Sequence, residues 1–478
     1  MYLAPVRLSS FDSLPDYRKD TASMKTAQKD MTKGSPGKII FAFTVPLFIG
    51  NLFQQFYNMV DAIIVGQFVG TGALAAVGST GTIMFLITGL AMGMTNGFTL
   101  QVAQRFGAND MKGMRRAAVN ATILSAIVSV VMTTISVVMM KPLLTFMHTP
   151  EDIFADAYSY IIIICGGLVA PMLYNLLSCL MRALGNSKVP LFFLIVAALL
   201  NVLLDLLFII QFNMGTAGAA WATIISQGIS GLLCLLYIAK AVPILHPHKE
   251  DLRMDPHMMA VQLRIGVPMA LQFSITAIGS MMVQTSLNML GSTLVAAFTA
   301  AGKIEQLVTQ AYVAMGTAMA NYSAQNIGAG DVARIRKGFR SATIMGIIYS
   351  IIAGALVMTV GKYLTYLFIS GDVSSVIDSV DLYLKCIGAF FIPLTIVNLY
   401  RNGIQGLGYG LLPMTAGIAE LIGRGVVAVI AAQYHSYFGI CMAGSVAWVL
   451  AGGLLLGLYA YIVRHDLSKL PPKPAENG

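Results

Sequence analysis

The sequence predicts an all-α integral membrane protein, with twelve transmembrane helices in two six-helix bundles related by a pseudo-two-fold axis along the membrane normal. Composition is the first indication, because 57% of the 478 residues are hydrophobic and only 11% are charged. A soluble protein carries about 25% charged residues, so the lipid bilayer must be the solvent of this chain. The one-sided placement of basic residues and an internal repeat are the other two indications.

Apolar runs of about 20 residues recur along the chain, and each can cross the roughly 30 Å hydrocarbon core of a bilayer. Glycine, proline and charged residues separate these runs. The predicted spans are 36–65, 73–100, 115–140, 157–181, 188–211, 216–240, 259–289, 296–324, 338–361, 382–405, 411–433 and 437–463.

Basic residues lie almost wholly on one side of these spans. Of the 30 Lys and Arg residues, Lys303 and Arg424 lie well inside spans, and only Lys141, Lys362 and Lys385 lie in loops or at span ends on the side opposite the termini. Because Lys and Arg accumulate in cytoplasmic loops, we expect a multi-pass protein of the cell (plasma) membrane with both termini in the cytoplasm. The same excess explains the net charge of +9, so we predict no nucleic-acid partner.

The two halves of the chain resemble each other at a spacing of about 222 residues. Val45-Pro46-Leu47 opens the first span, and Val267-Pro268-Met269 opens the seventh. The loop Gln104 to Asp110 matches the loop Gln325 to Asp331, and a basic cluster follows each. With six spans in each copy, both copies enter the membrane from the same side, which predicts an axis along the membrane normal and a cleft between two lobes.

This symmetry divides the chain into five regions. Residues 1–35 form a polar cytoplasmic extension without the apolar stretch of a secretory signal, and a start at Met24 or Met31 would leave every span intact. Residues 36–240 form the N-lobe and 259–465 the C-lobe. We expect 241–258 to be a cytoplasmic linker and 466–478 a cytoplasmic tail.

Two carboxylates and a hydroxyl are predicted to lie at one depth inside the N-lobe. Asp61, Asp205 and Thr223 each fall five to seven residues from the outer end of a span, or about 7–10 Å at 1.5 Å per residue. Asn201 precedes Asp205 by one helical turn and shares its face. Such residues could form a polar seam between helices, but two carboxylates in a low-dielectric pocket favour a site for a proton or a cation.

The residues leave the identity of that ion open. Sodium would find oxygen ligands in Asp61, Asn201, Asp205 and Thr223, whereas protonation needs only the two carboxylates. The first span also carries a polar face formed by Asn51, Gln54 or Gln55, Asn58 and Asp61. Together with polar positions in the fourth and seventh spans, it predicts a substrate cavity lined by Asn51, Gln54, Tyr57, Asn58, Asn175, Thr276 and Gln284.

The C-lobe has no counterpart of the carboxylate pair, because Val283 aligns with Asp61 and the predicted tenth span holds no Asp or Glu. Glu420 and Arg424 have the i, i+4 spacing of an intrahelical ion pair, which is either structural or involved in substrate binding or gating. Lys303 and Glu305 are expected to be anchoring charges near the membrane interface.

Enzyme motifs and cofactor motifs do not occur. The five cysteines lie in apolar stretches without CxxC spacing, and no histidine has metal-ligand spacing, so we expect no metal other than Na⁺ and no cofactor. No GxSxG elbow and no GxxxxGK[ST] loop occurs, which argues against an intramembrane enzyme and against ATP hydrolysis by this chain.

Several segments are shared with one family of transporters. They are Pro46 with Asn51-Leu52-Phe53-Gln54-Gln55, Val60-Asp61-Ala62-Ile63-Ile64-Val65-Gly66, Leu74-Ala75-Ala76-Val77-Gly78, Arg182-Ala183-Leu184-Gly185-Asn186, Asn201-Val202-Leu203-Leu204-Asp205, Gly218-Ala219-Ala220-Trp221-Ala222-Thr223 and the paired Gly-Ala-x-Asp loops. In this combination, over residues 36–463, the chain resembles the MATE (multidrug and toxic compound extrusion) family.

The resemblance implies a V-shaped pair of bundles that exports organic, often cationic, compounds in exchange for Na⁺ or H⁺. The resemblance implies that Asp61, Asn201, Asp205 and Thr223 bind the coupling cation. The NorM-like branch has a carboxylate in the seventh span, where this chain has Thr276, and another in the tenth, so a DinF-like pattern is expected.

The sequence therefore predicts a secondary active antiporter that works by alternating access. Its expected partners are membrane lipid and a small organic substrate, with no obligate protein partner. The alternatives are a flippase for a lipid-linked or amphipathic metabolite in the same wider superfamily, a major facilitator transporter, a channel or an intramembrane enzyme. The loop Arg105 to Arg116 does not fit the major facilitator pattern.

Overall fold

The computed structural model describes residues 29–147, 149–367 and 376–469. Across these residues the chain is helical, and we number its α-helices in chain order. They are α1 Pro36–Phe68, α2 Thr71–Ser79, α3 Gly81–Gly107, α4 Met111–Phe146, α5 Glu151–Gly166, α6 Val169–Ala183, α7 Lys188–Leu206, α8 Gly215–Ala241, α9 Pro256–Asn288, α10 Ser292–Gly328, α11 Val332–Val360, α12 Ile377–Gly388, α13 Phe391–Gly406, α14 Leu411–Gln433 and α15 Tyr437–His465.

These helices form the twelve spans of the predicted fold. In the described residues, nine helices are long and apolar enough to cross a membrane, and two bent pairs, α5 with α6 and α12 with α13, bring the number to eleven. The remaining long helix is α10, which has 37 residues but is less apolar than the others. The bends are 46° between α5 and α6 and 50° between α12 and α13. Eleven of the predicted spans agree with their helix or pair to within six residues. The second predicted span, 73–100, differs, because it takes in most of α2 and ends seven residues before the end of α3.

The repeated Gly-Ala-x-Asp loops turn the chain from one helix into the next. Asn109 and Gly330 occupy equivalent positions and have left-handed φ angles of 56° and 70°. The following acid then caps the next helix: Asp110 accepts the N–H of Gly113 at 2.8 Å, and Asp331 accepts the N–H of Arg334 at 2.9 Å. A side-chain acceptor at this position satisfies a helix N–H that has no partner within the helix.

Helices α1 and α9 each pack into both lobes. Ile40 and Phe43, near the start of α1, lie in a core built mainly from α10 to α15, whereas Ile64 near its end lies in a core of the first half. Helix α9 repeats this arrangement, since Ile265 packs with residues of α3 to α8 and Leu287 packs with α14 and α15. The two helices therefore connect the lobes at the end of the bundle that carries both termini, which we call the basic end.

The lobes also pack closely across α3 and α9. A Cβ atom on Gly93 would lie 2.5 Å from Cα of Ala270, and one on Gly97 would overlap the backbone of Gly266. Glycine is required for such a close approach of two helices. Towards the opposite end the contact opens, because Met281 of α9 is half exposed and Gly81 of α3 has nothing within 4 Å of its position for a Cβ.

Candidate functional site

Asp61 and Asp205 lie against each other in the interior of the first lobe. Their relative exposures are 8% and 0%, and their carboxyl groups are close enough to interact directly as a hydrogen-bonding pair. Among the residues that the structure describes, Oδ1 of Asp61 and both oxygens of Asp205 are buried without another hydrogen-bond partner. Buried carboxyl oxygens without a donor are rare in native proteins, and they indicate a place for a proton or an ion.

Asn201, Tyr57 and Thr223 complete the pocket. Asn201 lies one turn before Asp205 on α7 and is fully buried, and neither of its amide atoms has a partner in the described part of the chain. The Tyr57 hydroxyl donates to Oγ1 of Thr223 at 3.2 Å and is close enough to both carboxyl groups to interact electrostatically. The four residues assigned to the coupling ion from the sequence therefore come from α1, α7 and α8 and meet in one region.

The backbone changes shape directly after the pocket. Helix α7 ends at Leu206, and residues 207–211 continue as one turn of π-helix before the chain enters α8. A π turn shifts the helical register, and such turns are frequent at functional sites. Here the shift follows Asp205 directly.

A small cavity borders the pocket on the side of Gln54 and Tyr57. Its volume is about 10 Å³, close to the space that one water molecule needs. The other lining residues are Leu194, Ala197, Ala198, Ser226 and Gln227. Gln54 and Tyr57 were predicted from the sequence, whereas Ser226 and Gln227 were not, although each lies within one turn of Thr223 on α8.

The other predicted cavity residues are spread along the cleft. Asn51 donates its amide to the backbone oxygen of Gln310 in α10 at 3.4 Å, and Asn175 is partly buried in α6. Asn58 is exposed on α1. On α9, the Thr276 hydroxyl bonds to its own helix, and Gln284 is exposed with its amide bonded to Asn288 at 2.7 Å.

The C-lobe holds a buried ionic triad where the sequence predicts a pair. Glu420 bonds Arg424 at 2.5 Å, as its i, i+4 spacing indicates, and also bonds Arg401 of α13 at 2.6 Å. The exposed fractions of the side chains are 9% for Glu420, 15% for Arg401 and 13% for Arg424. The sequence analysis counts Arg401 among the basic residues on the side of the termini. Nothing in the sequence indicates that its side chain points into the lobe.

Two acidic residues of the C-lobe, Glu305 and Asp381, differ from the sequence-based expectation. Glu305 is not an interface anchor, because it accepts the Tyr383 hydroxyl at 2.5 Å and interacts electrostatically with Arg424. Lys303, by contrast, is exposed.

Helix α12 starts at Ile377, five residues before the predicted span, so the tenth span does contain acidic residues. One of them, Asp381, pairs with Lys385 at 2.5 Å.

Comparison with known proteins gives the family. The MatE family model matches residues 46–207 and 268–430, one segment in each half of the internal repeat. The chain belongs to the MatE family. It is therefore a multi-span membrane transporter and not an enzyme.

Two relatives and one solved structure illustrate this membership. The probable multidrug resistance protein YpnP of Bacillus subtilis is 33% identical over 78% of this chain and 83% of its own length. YoeA of the same organism, also a probable multidrug resistance protein, is 27% identical over 66% of this chain and 71% of its own length. The fold matches a crystal structure of a MATE protein in complex with MaL6 with a TM-score of 0.87, at 23% identity, over 92% of this chain and 99% of that one. The DinF-like pattern stays a prediction.

Proposed function

We propose that this MatE protein exports organic, drug-like and often cationic compounds in exchange for H⁺ or Na⁺. The observation that carries the proposal is the buried Asp61 and Asp205 pair with its unpartnered oxygens. Two ionised carboxylates cannot remain in contact in a low-dielectric interior, so a proton must be shared or a cation must bind. Either event removes negative charge from the pocket.

The surrounding residues fit both coupling ions. A shared proton requires only the two carboxyl groups. Sodium prefers oxygen ligands, and the amide oxygen of Asn201 is buried without a partner beside them. The hydroxyl oxygen of Thr223 is a further candidate ligand, and its hydrogen bond from Tyr57 holds it beside the carboxyl groups.

The arrangement of the lobes supports alternating access. Because basic loops face the cytoplasm, we assign the basic end and both termini to the inner side of the plasma membrane. The lobes are closed at that end, so this conformation is outward-open. The coupling pocket lies in the half of the N-lobe that faces away from the closed end.

The proposed cycle uses the charge of the pocket as a switch. Uptake of the cation from outside removes one negative charge from the carboxyl pair and allows α1 and α7 to pack more closely, which expels the substrate. After the lobes reopen to the inside and water enters the pocket, release of the cation restores that negative charge and favours binding of a cationic substrate. A membrane potential of 100 mV supplies about 2.3 kcal/mol per net charge moved, or roughly a 50-fold gradient of a neutral substrate exchanged for one cation. One-for-one exchange of a singly charged cationic substrate moves no net charge, so it is driven by the concentration gradient of the ion.

The substrate class rests on the relatives, since YpnP and YoeA are both described as probable multidrug resistance proteins. The side chains of α1 agree with a broad substrate range. Phe53, Phe56 and Met59 are exposed on this helix, and side chains of these types adapt to different apolar shapes.

Transport in proteoliposomes tests the proposal. A labelled cationic dye should be exchanged under an imposed pH gradient or an imposed Na⁺ gradient, each applied alone, and the effective gradient identifies the ion. Asp61→Asn and Asp205→Asn should abolish gradient-driven transport, whereas Asp152→Asn, an exposed acid of the same lobe, should leave it unchanged. Full transport by Asp205→Asn under either gradient would overturn the proposal.

A further inference from the structure

Residues 29–34, which belong to the predicted free extension, instead cross the basic end of the molecule between the two lobes. On the N-lobe side, the Lys29 N–H donates to the backbone oxygen of Leu184 at 3.2 Å, and the Lys29 carbonyl packs on Gly185. Gly185 has a left-handed φ of 82°, and a side chain there would strike this carbonyl. The segment is therefore fitted to the turn between α6 and α7.

On the C-lobe side, the same segment is held by α10 and α11. The Met31 N–H donates to Oε1 of Gln325 at 2.9 Å, and the Met31 carbonyl accepts from Nη2 of Arg334 at 3.0 Å. Arg334 also donates from Nη1 to the carbonyl of Gly34 at 2.7 Å. The Met31 side chain is fully buried in the core of the second half. A segment with these contacts is docked, although its sequence is polar.

The segment bonds one of two glutamines that join the lobes symmetrically. Gln104, at the end of α3, donates its amide to the backbone oxygen of Gly406 at 3.0 Å. Gln325, its repeat partner at the end of α10, donates to the backbone oxygen of Ala183 at 2.8 Å. Each bond crosses from one lobe to the other. We call these two bonds the glutamine clasp.

Gly107 and Gly328 make the close approach at the clasp possible. A Cβ on Gly107 would overlap the backbone of Gln325, and a Cβ on Gly328 would overlap the backbone of Gln104. Such reciprocal contacts are those of two equivalent surfaces meeting on a two-fold axis. Opening of the basic end must break both halves of the clasp together.

We propose that residues 29–34 form a strap that locks the clasp, so that opening towards the basic end requires release of the strap. The strap engages Gln325 through its side-chain oxygen while the amide of the same residue bonds the opposite lobe. Release of the strap leaves Oε1 of Gln325 without the Met31 N–H and removes the bridge that the strap makes between Leu184 in the N-lobe and Arg334 in the C-lobe. Since one buried side chain and a few hydrogen bonds hold the strap, its release is reversible. The proposal rests on the alternating access proposed above.

The strap adds contacts that hold the basic end closed and that do not belong to either repeated half of the chain. The two lobes are related by symmetry, but the Met31 side chain packs in the core of the second half, so the strap adds an unequal contact to an otherwise symmetric closure. A loss of the charge-assisted bonds from Arg334 should raise the ratio of inward-open to outward-open molecules about tenfold.

Distances between spin labels on the two lobes test this directly. Lys188 at the start of α7 and Lys337 on α11 are exposed at the basic end and suit labelling after Lys188→Cys and Lys337→Cys. Deletion of residues 2–34 and the variant Arg334→Gln should both increase a longer-distance population. Deletion of residues 2–28 alone and Arg336→Gln, an exposed neighbour on α11, should reproduce the full-length chain.

The outcomes separate the strap from the transport cycle. An unchanged distance distribution in both strap variants overturns the strap, provided that substrate still shifts the distribution of the full-length chain. If no variant, substrate or ion changes the distribution, alternating access and the strap both fail. A shift in Arg334→Gln that equals the shift after deletion of residues 2–34 supports the strap, because the point variant leaves the segment in place.

Discussion

The buried triad in the C-lobe predicts a large loss of stability for Glu420→Gln. Each carboxylate oxygen of Glu420 bonds a different guanidinium, at 2.6 Å to Arg401 and 2.5 Å to Arg424. Glutamine removes the charge and one acceptor, so two guanidinium groups that are at least 85% buried lose the counterion they share. Breaking a buried pair costs about 3–5 kcal/mol, and we expect the lower end because Glu305 still faces Arg424.

Reversible unfolding in mixed detergent micelles measures this loss. The free energy of unfolding of Glu420→Gln should fall by about 3 kcal/mol relative to the wild-type chain. Asp381→Asn is the matched control, because it breaks a pair whose lysine is 56% exposed, and it should cost less than about 1 kcal/mol. Equal losses for the two variants, or a loss below about 1 kcal/mol for Glu420→Gln, would refute the reasoning about burial.

Three other variants test separate parts of the structure. Gly97→Leu inserts a side chain into the backbone of Gly266, so closure of the basic end should weaken by about 1–3 kcal/mol, seen as a longer distance between labelled lobes. Burial alone would raise the pKa of Asp251, but the hydrogen bond from Arg115 and a backbone N–H outweigh it and lower the pKa. Asp251→Asn should therefore cost about 2 kcal/mol at pH 7, and the difference from the wild-type chain should vanish as the pH falls from the ordinary aspartate range through the lowered pKa of Asp251. Tyr57→Phe removes the 3.2 Å hydroxyl bond and should cost about 1 kcal/mol in unfolding measurements.

The membrane environment explains why so much of the fold follows from the sequence. A lipid-exposed backbone must satisfy its own hydrogen bonds, so each long apolar run has to be a helix. Repeat and charge placement then give the number of spans and their symmetry. The bends after Gly166 and Gly388 do not follow in the same way, because they depend on how the two halves of each span pack against their neighbours.

The candidate site also has features that follow from the sequence and features that depend on how the helices pack. The depth of a residue in the membrane follows from counting residues along its helix, so the sequence alone predicts that Asp61 and Asp205 lie at one level. Helix rotation does not follow from counting, so the inward turn of Arg401 and the bond from Tyr383 to Glu305 were missed. The docking of Met31 was missed for another reason. Its hydrogen-bond partners include the side chains of Gln325 and Arg334, 294 and 303 residues away, and the polar segment around it has no periodicity that indicates burial.

Cation release on substrate binding tests the central claim most directly. The purified protein would be mixed with a cationic dye in weakly buffered detergent solution, with a pH indicator and a Na⁺ electrode recording the ions set free. The account predicts release of H⁺ or Na⁺ from the wild-type chain, and none from the double variant Asp61→Asn with Asp205→Asn, provided that the dye still binds. Release of the same amount from the double variant would show that these carboxyl groups do not hold the coupling ion.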